Sequence, residues 1–248
     1  MAEVTVSSNV DPAEVAQFER LANSWWDPEG PFWPLHGLNA LRTAYLTQAI
    51  CKHFGRDAEA TQPLDGLKVI DIGCGGGLLS ESFARLGAGV RGIDVVEKNL
   101  RIAQGHARNT GLEIDYEYTT STACVDQGET FDVVLNMEVV EHVPDPALLI
   151  QECAQLCKPG GFVCIATINR TLKAWVFAIV GAEYILRLLP KGTHQWGKFV
   201  TPLEVETELA NNGCFVIDKR GVRVNPFARR FSLASSLQVN YMITASRT

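Results

Sequence analysis

The chain has 248 residues, 46% of them apolar and 20% charged, which suits one large domain with a substantial core and excludes intrinsic disorder. Its 21 glycines and 11 prolines show no period, so it is not collagen-like, and a formal charge of −6 argues against a general nucleic-acid binder. Seven cysteines without zinc-type spacing read as reduced cytosolic thiols, and no run of 18 charge-free apolar residues is present to span a membrane.

Residues 1–10 read as a polar tail without signal-peptide character. Asp11-Pro12-Ala13-Glu14 then starts a helix: Asp11 caps, Pro12 fits the first turn and Glu14 closes the box. Three prolines between residues 25 and 34 interrupt helix, and a second helical segment follows at 38–54. Trp25, Trp26 and Trp33 read as packing anchors, and His53 and His106 as surface residues. From residue 67 short apolar runs alternate with helical windows. Strands are expected at 67–72, 89–94, 114–118, 131–136 and 162–167, with helices at 78–86, 97–109 and 146–156. Thr201 opens another helix, and 215–220 with 238–246 suit an antiparallel hairpin pair.

This order predicts an α/β fold, a doubly wound, Rossmann-like and mostly parallel sheet with an antiparallel C-terminal hairpin. Residues 1–60 form a helical extension packed on the core. Residues 61–248 form the main domain, with an apolar insertion at about 170–200.

The strongest local signal is Asp71-Ile72-Gly73-Cys74-Gly75-Gly76-Gly77, at a strand-to-helix turn. Glycines there admit close backbone approach to a ligand. The sixth position of a dinucleotide fingerprint is Leu78 instead of glycine, and the Lys-Ser/Thr of a phosphate loop is missing. The pattern resembles the first motif of class I S-adenosylmethionine-dependent methyltransferases. Asp94, at the end of the second strand, suits the ribose hydroxyls of such a cofactor. Asp71, Gly73, Gly75 and Asp94 therefore stand as cofactor-binding candidates.

After the fourth strand come Met137, Glu138, Glu141 and His142. Spacings of three and four would place the two acids and the imidazole on one face of a helical turn, where they could act as a general base or hold a hard divalent ion through the carboxylate oxygens. A purely structural role for His142 stays open at this point, and Asp145-Pro146 reads as a helix cap.

Trp25-Trp26-Asp27, Pro34-Leu35-His36, Leu41-Arg42, the glycine turn, residues 141–146, 181–187 and 190–194, and Val239-Asn240-Tyr241-Met242 together resemble the ubiquinone-biosynthesis O-methyltransferases, over about residues 9–243. The resemblance implies methylation of polyprenyl catechol and demethylubiquinol intermediates, in two steps of one pathway. It implies cofactor contacts at Arg42, Gly73, Asp94 and Met137, and eukaryotic relatives are similar at Glu138, Glu141 and His142, which there look like a magnesium site. A methyltransferase for another phenolic acceptor, and a cofactor-retaining lipid-binding scaffold, are the competing expectations.

Residues 170–200 carry five cations (Arg170, Lys173, Arg187, Lys191, Lys198) against the single acid Glu183, with Trp175 and Trp196 near the ends. Apolar bulk flanked by cations suits an element lying in a lipid interface, or a lid packed over the substrate. The expected location is the cytoplasm, peripherally attached to the inner membrane, with a polyprenylated quinol substrate, no nucleic acid, and contact with other quinone-biosynthesis proteins.

Overall fold

Near-continuous apolar runs such as Val69-Ile70-Asp71-Ile72 are what a strand needs when both sheet faces are covered. The computed structural model describes residues 9–171, 174, 198–225, 228 and 230–248. Two helices lead, α1 (Pro12–Leu21) and α2 (Trp33–Phe54), joined through a single 3₁₀ turn at Ala22–Ser24. Alternation then follows: β1 (Lys68–Ile72), α3 (Leu78–Arg85), β2 (Gly89–Asp94), α4 (Glu97–Asn109), β3 (Asp115–Tyr118), α5 (Ser121–Asp126), β4 (Phe131–Met137), α6 (Pro146–Leu156) and β5 (Cys157–Ile168). The end comprises α7 (Pro202–Asn211), β6 (Cys214–Asn225), β7 (Arg230–Ala234) and β8 (Asn240–Arg247).

The sheet order is β3-β2-β1-β4-β5-β8-β6-β7. β1 pairs in parallel with both β2 and β4, whereas β8 runs antiparallel between β5 and β6. The chain therefore reverses its direction of travel across the sheet between β1 and β4, and the crevice beyond their carboxyl ends is where a ligand fits in such a sheet. On one face Ile70, Val134 and Ile165 pack with Leu149 and Cys153 of α6 and Val205 of α7. On the other Val69, Val133 and Leu135 pack with Leu46 and Ile50 of α2 and Phe83 of α3.

Helix starts follow the capping residues. Asp145 accepts from Leu148 N–H, and Thr201 and Glu204 form a reciprocal box on α7, each such cap contributing about 1 kcal/mol. Asp11 caps α1 by accepting from Ala13 N–H, but Glu14 does not close its box; its carboxylate is turned to another use below.

Some expectations need correction. α2 begins at Trp33, not Leu38, because Pro34 falls in the first turn, where its missing N–H would be unpaired anyway. α5 is an element the apolar pattern did not announce. The strands read as a C-terminal hairpin are neighbours, β6 and β8, but β7 lies between them in sequence and forms the sheet edge. That edge strand carries only Phe231, Leu233 and Ala234 as apolar residues, too few for a visible run. Most of the expected insertion, residues 172–173 and 175–197, lies outside the described residues.

Candidate active site

The glycine turn joins β1 to α3 and is tied to β2 by Gly73 N–H and Cys74 N–H, both donating to the Ile93 carbonyl at 2.8 and 3.0 Å. Gly73 (φ +72°) and Gly75 (φ +54°) occupy the left-handed region. Space is as restrictive as conformation: a Cβ on Gly73 would lie 2.5 Å from Val139, and one on Gly75 2.4 Å from the Trp25 ring. The turn is thus fitted both to the loop after β4 and to the N-terminal segment.

Asp94 is buried and receives Gly75 N–H at 2.8 Å and Val96 N–H at 2.7 Å. Burial raises its carboxyl to about 6, against the Val96 and Gly75 amides and the Asn99 side chain, which favour the ionised form. Asp71, equally buried, accepts the Ser80 hydroxyl at 2.6 Å. Burial lifts it to about 6 as well, opposed by Ser80 and aided by the charge of Asp94. Arg42 reaches the same region from α2, 6% exposed, with its Nε lacking a hydrogen-bond partner among the described residues. Burial lowers it to about 10, opposed by Cys164, Glu141 and Asp71 around it, so it remains a cation at neutral pH.

The three candidates after β4 do not share one helical face. Glu138 has φ +57°, the only positive φ outside glycine among the described residues, and pairs with Arg42. The chain turns helically only at Val140–His142, as one 3₁₀ turn. Glu141 points beneath it, buried, and accepts the Thr167 hydroxyl at 2.7 Å. His142 faces the other way, its Nδ1 3.1 Å from a Glu14 carboxylate oxygen of α1 and the Phe18 ring edge-on at 5.2 Å. The left-handed residue breaks the 3.6-residue periodicity that the expected convergence required.

Glu14 is therefore a residue that sequence reasoning missed. It bridges His142 and Lys198, whose Nζ also reaches Asp11 at 3.0 Å. Burial pulls the His142 imidazole down, but Glu14's hydrogen bond and charge and the charge of Glu141 outweigh it, so its pKa is raised. Asn9 adds a second tether, donating to the Asp145 carbonyl and accepting Asp145 N–H at 2.9 and 2.7 Å. Trp25 stacks on Phe32 and donates to Asn99 at 2.8 Å, as a packing anchor should. His106 is not a surface bystander: it stacks flat on Trp26 and bonds the buried Glu81 at 2.6 Å. After β3, where no residue was singled out, Ser121 and Thr122 donate to the buried Glu152 at 2.5 and 2.6 Å, which fixes α5 as a wall.

One cavity of about 670 Å³ collects these groups. Arg42, Asp71, Gly73, Gly75, Asp94, Met137, Glu138, Glu141 and His142 all line it, and Trp33, Leu38, Val224 and Phe231 line its apolar part. A buried carboxylate at one place and a partly unpartnered guanidinium at another fit S-adenosylmethionine, which carries ribose hydroxyls and a carboxylate. Magnesium is a different case. Glu138, Glu141 and His142 each have another partner, and among the described residues no cluster of three or more His, Cys, Asp or Glu is placed to hold a metal ion. The donor set implied by the resemblance is not assembled. The insertion's charge count also changes, because Arg170 pairs with Glu204 and Lys198 with Asp11 and Glu14.

Residues 70–165 match the family described as "Methyltransferase domain". The chain is 51% identical over 240 residues to the ubiquinone biosynthesis O-methyltransferase of Chelativorans sp., covering 97% of this chain and 95% of the relative. It is also 51% identical to that of Brucella anthropi, covering 98% of each. Among solved structures it is similar to a magnesium protoporphyrin IX methyltransferase from Synechocystis with bound SAH, at TM-score 0.61 and 21% identity over 85% of this chain and 84% of the other. That likeness carries the fold alone. The sequence similarity carries more: the chain belongs to the ubiquinone biosynthesis O-methyltransferases.

Proposed function

We propose that this family member O-methylates polyprenyl catechol and demethylubiquinol intermediates of ubiquinone biosynthesis, one active site serving two steps. S-adenosylmethionine, when bound, would supply an electrophilic methyl carbon, which a phenolate oxygen attacks in line as the carbon–sulfur bond breaks, leaving S-adenosylhomocysteine and an aryl methyl ether. The chain has two tasks, to hold this donor and to ionise the acceptor.

For the first, the Asp94 carboxylate takes the ribose hydroxyls and Arg42 takes the methionyl carboxylate with its planar donor fork. Gly73 and Gly75 let backbone come close, Met137 packs on the adenine, and Asp71 holds the turn through Ser80. For the second, a phenol of pKa about 10 must lose its proton, which costs roughly 4 kcal/mol at pH 7. His142 accepts that proton at Nε2 while Nδ1–H is donated to Glu14. Glu141, held by Thr167, and Glu14 favour the imidazolium so formed by their negative charge. Orientation in a dry cavity supplies much of the remaining acceleration, on the order of 7–11 kcal/mol for well-placed groups.

The observation that carries this reading is the shared cavity: Asp94, Met137 and His142 line one space, with Trp33, Leu38, Val224 and Phe231 as its apolar part, in a chain half identical to named O-methyltransferases of this pathway. Peripheral attachment to the inner membrane through residues 170–200 belongs to the same proposal. It rests on the apolar sequence there and on its cations Lys173, Arg187 and Lys191, beside Arg170 and Lys198, which pair with Glu204 and with Asp11 and Glu14. Among the described residues no helix is long and apolar enough to cross a membrane.

The test is transfer of labelled methyl to demethylubiquinol and to a polyprenyl catechol, with and without chelator. Both acceptors should be methylated, and chelator should leave the rate unchanged. Full activity in His142→Ala would overturn the assignment of the base. Methylation of unrelated phenols alone would overturn the substrate.

A further inference from the structure

We infer that Glu138 stands in for the donor's carboxylate on Arg42 in the ligand-free protein, so that cofactor binding is an exchange of one carboxylate for another. The inference rests on the proposed role of Arg42 as the receiver of the methionyl carboxylate.

Three observations meet at this pair. The guanidinium is buried, and a buried cation without an anion is costly, so Arg42 needs a counter-charge. Glu138 supplies it by direct contact, while Glu141 and Asp71 act on Arg42 only through their charge. The Arg42 Nε nevertheless finds no hydrogen-bond partner among the described residues, so the internal carboxylate does not use the whole donor fork. Second, Glu138 holds the contact from a left-handed backbone conformation that disfavours a side-chain-bearing residue, pinned by its own N–H to the Ala166 carbonyl at 2.8 Å. Strain of this kind persists only where the surroundings enforce it. Third, Glu138 keeps a fifth of its side chain accessible, at 21%, and both residues line the cavity, so the carboxylate has open space to enter when displaced. A ligand carboxylate able to engage the whole fork would release Glu138 toward the acceptor side, where His142 also faces.

The exchange makes Glu138 an internal competitor of one part of the cofactor only. Calorimetric titration separates that part. S-adenosylhomocysteine carries the carboxylate, and 5′-methylthioadenosine presents the same nucleoside thioether without it. Glu138→Gln, which removes the charge, should bind S-adenosylhomocysteine about tenfold tighter than wild type, the scale of one charge-assisted hydrogen bond. Its affinity for 5′-methylthioadenosine should stay within twofold. Glu138→Gly removes both the charge and the backbone strain and should give the same selective gain, which covers the case of an unstable glutamine variant. Arg42→Met should lose S-adenosylhomocysteine affinity and keep that for the thioether. Unchanged or weaker binding of S-adenosylhomocysteine in both Glu138 variants, with Arg42→Met impaired, overturns the exchange alone. Unchanged binding in Arg42→Met overturns the role of Arg42 and the exchange with it.

Discussion

The Nδ1 of His142, on the turn after β4, lies 3.1 Å from the Glu14 carboxylate of the first helix, across 128 positions of sequence. A carboxylate on Nδ1 fixes the tautomer and leaves Nε2 as the acceptor, on a ring that lines the cavity. The helical segment before the sheet thus contributes a charged group to the proposed proton transfer, as well as packing.

Neutral His142 is the form that can take a phenolic proton, and Glu14 with Glu141 holds the imidazolium to higher pH than usual. The rate constant kcat/KM should therefore rise with pH through a limb placed above the ordinary histidine range. In Glu14→Gln that limb should move to lower pH, and kcat on its plateau should fall about tenfold as ring orientation is lost. A pH–rate profile of both proteins checks this, and coincident profiles would remove Glu14 from the reaction.

Cofactor affinity should depend on pH in the opposite region. Asp94 accepts hydroxyls best when ionised, and burial puts its titration at about 6 in the free protein. S-adenosylhomocysteine should bind with constant affinity from pH 7 to 8 and progressively more weakly below about 6. The same raised value means that the native state binds protons the unfolded chain has already released between about 4 and 6. The Asp94 and Asp71 contributions to stability accordingly fall as pH rises through that window. Titration calorimetry and urea unfolding across pH 4–8 read the two effects separately.

Gly75→Ala should cost about 2–4 kcal/mol of stability. A Cβ in the left-handed region costs about 1–2 kcal/mol, and its overlap with the Trp25 ring, 2.4 Å away, adds the penalty of overpacking. Chemical denaturation gives the loss directly. The stabilisation of the melting temperature by S-adenosylhomocysteine should disappear with it, because the turn is displaced from Asp94.

Vesicle flotation reads the membrane proposal. Binding should favour anionic over neutral lipid, fall with added salt, and weaken when Lys173, Arg187 and Lys191 are replaced together by Gln. Replacing Lys198 should not weaken it, since Lys198 is engaged by Asp11 and Glu14. Equal, negligible flotation with both lipids would dismiss the membrane contact.

The α/β alternation, the glycine turn and Asp94 were legible because each is local. Strand periodicity, the φ requirement at Gly73 and Gly75, and the roughly twenty-residue step to Asp94 lie within a short stretch of chain. The capping residues Asp145 and Thr201 were readable for the same reason. The cavity-lining candidates Arg42 and Met137 were named by resemblance, and the sheet brings them to the same space as Asp94.

What sequence periodicity could not give was direction. A single left-handed residue, Glu138, redirects the loop after β4 so that Glu138, Glu141 and His142 meet Arg42, Thr167 and Glu14 instead of one another. Those three partners stand on α2, β5 and α1, remote in sequence and joined only when the sheet closes the chain between them. Local residue order determined the fold class and the glycine turn, since both arise from short-range backbone preference and burial pattern. The pairing of charges around the loop after β4 was left to tertiary packing, because electrostatic partnership depends on distance in space, which spacing along the chain does not encode.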